Sequence, residues 1–77
     1  MNLSELKNKI ELVEICQGMA EHLLYNENIG KITAPNGNTV LLKDFLFACN
    51  NILNHSSIDE DYIIEIGSLR DSLAKEY

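Results

Sequence analysis

Four side chains in this 77-residue chain belong to the types most often used for metal binding or covalent catalysis: Cys16, His22, Cys49 and His55. A tetrahedral zinc site needs convergent ligands, and Cys-x-x-Cys or His-x-x-x-His spacings usually supply two of them locally. Neither spacing occurs, so no metal site is expected. Cys16 and Cys49 each lie among apolar residues, where a thiol behaves as a small hydrophobe. They read as core positions that can touch, and as free thiols rather than a disulfide. His55 beside Ser56, with Cys49 upstream, offers a base and a nucleophile. Nucleophilic catalysis also needs a group that orients the base, and no nucleophile elbow or catalytic cysteine pattern surrounds these residues. Ser56 and Ser57 are better explained as helix caps. The adjacent carboxylates Asp59, Glu60 and Asp61 fall in one solvated helical turn and not across a cleft. The expectation is a chain that is not an enzyme and requires no cofactor.

The acidic C-terminal stretch carries the stronger signal. Asp59, Glu60, Asp61, Glu65, Asp71 and Glu76 stand against only Arg70 and Lys75, with Tyr62 and Tyr77 among them. A tyrosine ringed by negative charge suits a basic protein surface: the charge steers the encounter and the ring supplies a buried anchor. Asp59, Asp61, Tyr62 and Glu65 are therefore the expected partner-binding residues. Charge of this sign also serves simply to keep a small protein soluble.

The segment Gly30–Thr39 offers a different chemistry. It lacks the Gly-x-x-x-x-Gly-Lys-Ser/Thr order of a phosphate loop, yet Lys31 and backbone amides near Gly30 or Gly37 could hold an anion. In this alternative the chain is an oligomeric small-ligand or nucleotide-binding module, with Lys31, Thr33 and Asn36 as contacts and Tyr25 stacking on a base. Pro35-Asn36-Gly37 is equally well explained as turn chemistry in a structural connector.

Composition removes several classes. Twelve acids against six Lys and Arg give a formal net charge of −6, which leaves too few cations to neutralise many phosphates, so no nucleic-acid partner is expected. A helix-turn-helix reading fails because its recognition helix would open on Ile58-Asp59-Glu60-Asp61. No apolar run approaches the ~20 residues of a membrane span. Met1-Asn2-Leu3-Ser4-Glu5 lacks the basic start and apolar run of a signal peptide, so a cytoplasmic location is expected. Nine Asn and nine Ile would suit an AT-rich genome, such as that of a low-GC bacterium or a phage.

The elements that must position these residues are helical. Leu3, Leu6, Ile10, Val13, Gln17, Ala20 and Leu24 recur at three-four spacing, which predicts one helix from Leu3 to about Asn26. Leu12, Ile15 or Cys16, Met19 and Leu23 widen its apolar arc. Gly18 inside it suggests a close crossing or a kink, and Gly30 a left-handed stop. Ile32 and Thr33 before the turn, and Thr39, Val40 and Leu41 after it, suit a minimal hairpin over 32–41. A second helix is predicted from Leu41 to Asn54 with Leu42, Phe45, Leu46, Cys49, Ile52 and Leu53 inward and Phe47 off the stripe. The third begins at a capping box, Ser57 with Glu60, and aligns Ile58, Tyr62, Ile66, Leu69 and Leu73 in one stripe, with Ile63 and Ile64 widening it.

The fold expected is all-α: a small antiparallel helical bundle, one domain over 1–77, with a long first helix and two shorter ones. The wide arc of the first helix predicts a homo-oligomer, most simply a dimer. The function expected is that of a small acidic binding protein that modulates or inhibits a partner protein by covering its basic surface, of the immunity, antitoxin or phage anti-defence type. A structural subunit or chaperone of a larger assembly is the third reading.

Overall fold

The computed structural model describes residues 3–54 and 60–77. In chain order the elements are α1 (Leu3–Tyr25), β1 (Lys31–Thr33), β2 (Thr39–Leu41), α2 (Leu42–Asn54) and α3 (Glu60–Glu76). The three helices pack on one another as a small bundle, and α1, at ~1.5 Å per residue, sets the 37 Å long axis. Lys9 of α1 pairs with Glu60, the Cys16 thiol faces the Ile66 carbonyl, and His22 packs on Tyr77. Residue numbers rise together along both helices, so α1 and α3 run in the same direction, and α2 runs back along α1. This up-down-up order lets each helix bury its apolar stripe against its neighbours.

The core is built from Val13, Cys16, Ala20 and Leu23 of α1, Ile32 of β1, Leu42, Phe45, Leu46 and Cys49 of α2, and Ile63, Ile66, Leu69 and Leu73 of α3. On α1 the buried line falls between the two stripes read from sequence. The helix touches α2 on one side, where Gln17 hydrogen-bonds Asn50, and α3 on the other. Residues midway between these contacts are sealed, while Gln17 and Leu24 are half-buried and Ile15 is exposed. Two neighbours within the chain thus cover most of the wide arc. The exposed aliphatic and aromatic side chains of the helices that remain include Ile15, Phe47 and Ile64. On α3 the buried position is Ile63, not Tyr62, and Ile64 points outward. The proposed capping residues Ser57, Ile58 and Asp59 lie outside the described residues. The Glu60 carboxylate is engaged by Lys9.

The connection after α1 is organised by turn chemistry. The left-handed residue is Asn28, at φ 58°, and not Gly30. Asn is the side chain that adopts this region most readily after Gly, and its placement lets the Ile29 amide donate to the Leu23 carbonyl at 2.8 Å. β1 and β2 pair antiparallel with Ile32 opposite Val40, so both face the core and anchor a hairpin too short to stand alone. The Gly37 amide donates to the Ala34 carbonyl, and Gly37 itself sits at φ 90°. This is a three-residue loop in which Pro35 fixes the first corner and a left-handed Gly closes the bulge. The Leu42 amide, at the start of α2, donates to the Gly30 carbonyl at 3.0 Å and ties the helix end to the hairpin.

Gly18 marks neither a crossing nor a kink: α1 runs unbroken through it, and a Cβ there would meet nothing within 4 Å. Gly18→Ala should therefore stabilise the fold by about 0.5–1 kcal/mol and raise Tm by about 3–8 °C, read by thermal denaturation. The close approach of α1 and α3 lies instead at Gly67, where a Cβ would touch Leu12 at 3.6 Å.

Candidate functional site

Tyr62, Glu65 and Leu69 recur at three-four spacing on the side of α3 that faces α2 and the hairpin. With Asp44, Phe45 and Ala48 of α2 and Val40 of β2 they line a groove of about 160 Å³. Its floor is apolar because Phe45, Ile66 and Leu69 are core residues whose outer edges surface here. Its rim is acidic because Asp44 and Glu65 occupy the exposed flanks of the two helices. Asp44 sits in the first turn of α2, where the helix dipole favours a carboxylate. Tyr62 is 47% exposed: its ring borders the groove without being sealed by it.

The groove does not stop at α2. Val40, Glu65 and Leu69 also line a second depression, of about 280 Å³, where the hairpin loop overhangs Ser68. Ala34 and Pro35 carry it into a third, of about 480 Å³, between β1 and the last turns of α3, lined there by Asp71, Ser72, Lys75 and Glu76. Val40, Asp44 and Ala48 are the contributors that sequence reasoning missed. Asp44 was visible as a helix-start acid, but only the packing of α2 on α3 brings it opposite Glu65.

Of the partner-binding residues expected from sequence, Asp61, Tyr62 and Glu65 are exposed on α3, one turn or less apart. Asp59 lies outside the described residues. The ligand-binding set of the alternative reading is dispersed. Thr33 lines the third depression, and Asn36 lines the second while its Oδ1 accepts from the Asn38 amide at 2.9 Å. Tyr25, at the end of α1, and Lys31, on β1, are exposed and line none of the three. A phosphate beside Thr33 would face Asp71 and Glu76, with Lys75 as the cation in that lining.

Of the groups considered for catalysis, His55 and Ser56 lie outside the described residues, and Cys16 and Cys49 line none of these depressions. Cys16 and Cys49 are free and buried. Burial pushes the Cys16 thiol up, against a smaller opposing pull from Arg70. Cys49 is pushed up to about 12, by burial first and then by the Cys16 and Glu21 charges. Both thiols stay protonated near neutrality and are poor nucleophiles. Alkylation at pH 8 should be at least about 100-fold slower in the folded chain than in urea. The linkage has a definite sign. An unfolded thiol ionises near pH ~8.5–9 whereas folded Cys49 holds its proton, so its contribution is intact below that range and is lost as pH rises toward 12. Stability should fall by up to about 1.4 kcal/mol per pH unit there, and Cys49→Ala should flatten that slope in alkaline urea titrations.

His22 is held by its own helix end. Its Nδ1 accepts from Asn26 at 3.1 Å, its Nε2 approaches Glu27 at 3.4 Å, and its ring meets Tyr77 at a centroid distance of 4.9 Å. Among the described residues, no three His, Cys, Asp or Glu side chains gather as a metal cluster. Among them too, no helix is long and apolar enough to cross a membrane. No protein-family model matches the chain, and no curated protein or solved structure is significantly similar to it.

Proposed function

We propose that this chain is a small acidic binding protein that modulates or inhibits a partner protein by covering a basic region of that partner, without catalysing a reaction. The observation that carries the reading is the coincidence, on one face, of an apolar floor, a half-exposed tyrosine and the flanking carboxylates Asp44 and Glu65. Interfaces draw their affinity from an aromatic or aliphatic anchor in a water-excluding pocket, and their steering and selectivity from charge around it. Asp61, one turn before Glu65 on α3, extends the negative flank. A bacterial or phage source and action in the cytoplasm fit the Asn- and Ile-rich composition and the free thiols.

The test is salt dependence. The immobilised chain is used to isolate its partner from the source cell, and the purified pair is measured at about 50 and 300 mM salt. Affinity should weaken at least about tenfold over that interval, mainly through slower association. An affinity indifferent to salt would contradict the electrostatic reading.

A further inference from the structure

We propose that the first turns of α1 dock against the same turns of a second copy of this chain, antiparallel about a two-fold axis. This surface is separate from the groove read above as the partner site, none of whose lining residues is on α1.

Packing within the chain leaves this stretch open. Gln17 of α1 hydrogen-bonds Asn50 of α2, and the two helices run in opposite directions, so Asn54, the last residue of α2, falls level with Val13. On the other side Glu60, the first residue of α3, pairs with Lys9. The first turns of α1 therefore extend past the facing ends of both neighbouring helices. Leu6 and Ile10 are four positions apart and so share one side of the helix. They are half-buried and line an open depression together with the exposed Lys7, Glu11 and Glu14. Glu14 has no cation three or four positions away on its own helix, where an intrahelical pair would form.

The order of charge selects the occupant. Along this stretch the cation Lys7 comes first and the carboxylates Glu11 and Glu14 follow one and two turns later. An antiparallel copy presents the reverse order. With Leu6 against Ile10 of the second copy, and Ile10 against its Leu6, Lys7 stands about 3 Å along the axis from the level of Glu11 in the other chain and about 8 Å from that of Glu14. The two-fold makes these pairs reciprocal. A parallel copy would set Lys7 against Lys7 and would align the two helix dipoles, whereas the antiparallel copy opposes them. A uniformly basic partner would meet Lys7 as a like charge, while a second copy answers both signs at once.

The test is sedimentation equilibrium of the full chain. A contact confined to α1 belongs with small, weak interfaces, so the mass should be that of one chain at about 1 μM and approach that of two at about 500 μM, in about 150 mM salt. Lys7→Glu, and separately Glu11→Lys with Glu14→Lys, should each weaken self-association at least about tenfold, because each sets like charges across the axis. An equimolar mixture of these two variants should associate at least as tightly as the native chain, since every facing pair is then of opposite sign. All three positions are exposed, so thermal melts of the variants at about 1 μM should stay close to that of the native chain. A single-chain mass at about 500 μM overturns the inference. So does association that Lys7→Glu leaves intact, or a mixture that associates no better than its components, since either result puts the contact on another face or in another orientation.

Discussion

Leu23→Ala is expected to lower the unfolding free energy by about 3 kcal/mol or more, while Leu24→Ala, one position further along α1, lowers it by about 1 kcal/mol. Leu23 has no exposed surface and belongs to the core cluster shared with β1, α2 and α3, and truncation there leaves a cavity that rigid neighbours cannot close. Leu24 is half-buried and can be replaced in part by water. A chain of this length has a total stability of about 4–11 kcal/mol, so the first variant loses a large share of it and the second a small one. Urea denaturation reads the difference directly as a shift in midpoint at nearly constant slope. Equal losses would mean that α1 is rotated from the orientation described.

Reversing charge at the groove rim, with Asp44→Lys and Glu65→Lys together, is expected to weaken partner binding at least about 100-fold while changing stability by no more than about 0.5 kcal/mol. The two carboxylates are exposed on different helices and face the same depression, so their reversal turns attraction into repulsion at the centre of the site without disturbing the core. Close charge pairs across interfaces couple by about 1.5–7 kcal/mol, and the reversal removes two of them. Tyr62→Ala should cost about 2 kcal/mol of binding, roughly 30-fold, because it removes the anchor and leaves the rim intact. The ratio of these effects separates charge from packing: high salt should weaken the binding of Tyr62→Ala as it does that of the native chain, and should have little further effect on the double reversal.

How much of this was legible depended on how many neighbours each helix has. The α2 stripe was read correctly from spacing, with Leu42, Phe45, Leu46 and Cys49 buried and Phe47 outside. That helix has one well-defined apolar face, and period alone locates it. On α1 two stripes adjoin, and spacing could not say that the sealed line would be Val13, Cys16, Ala20 and Leu23, because that line is set by where α2 and α3 stand. On α3 the adjacent apolar residues Tyr62, Ile63 and Ile64 made the phase ambiguous by one position. Ile63 won because a phenol hydroxyl is better kept wet at the edge than buried without a partner. The hairpin was legible because Pro35, Asn36 and Gly37 specify a turn locally, whereas the helix stop at Asn28 was masked by the more conventional Gly30 two residues on. Among the site residues, the exposure of Asp61 and Glu65 followed from pattern, and that of Tyr62 did not, because spacing put it in the apolar stripe. The contribution of Asp44 did not, since it arises from the long-range packing of α2 against α3.

The most direct test of the central claim is a nuclear magnetic resonance titration of the isotope-labelled chain with the purified partner. Amide shifts are expected to move at Val40, Asp44, Ala48, Tyr62, Glu65 and Leu69 and to stay fixed at Tyr25 and Lys31. Shifts centred on Tyr25, Lys31 and the opposite end of β1, with the α2–α3 groove silent, would contradict the account.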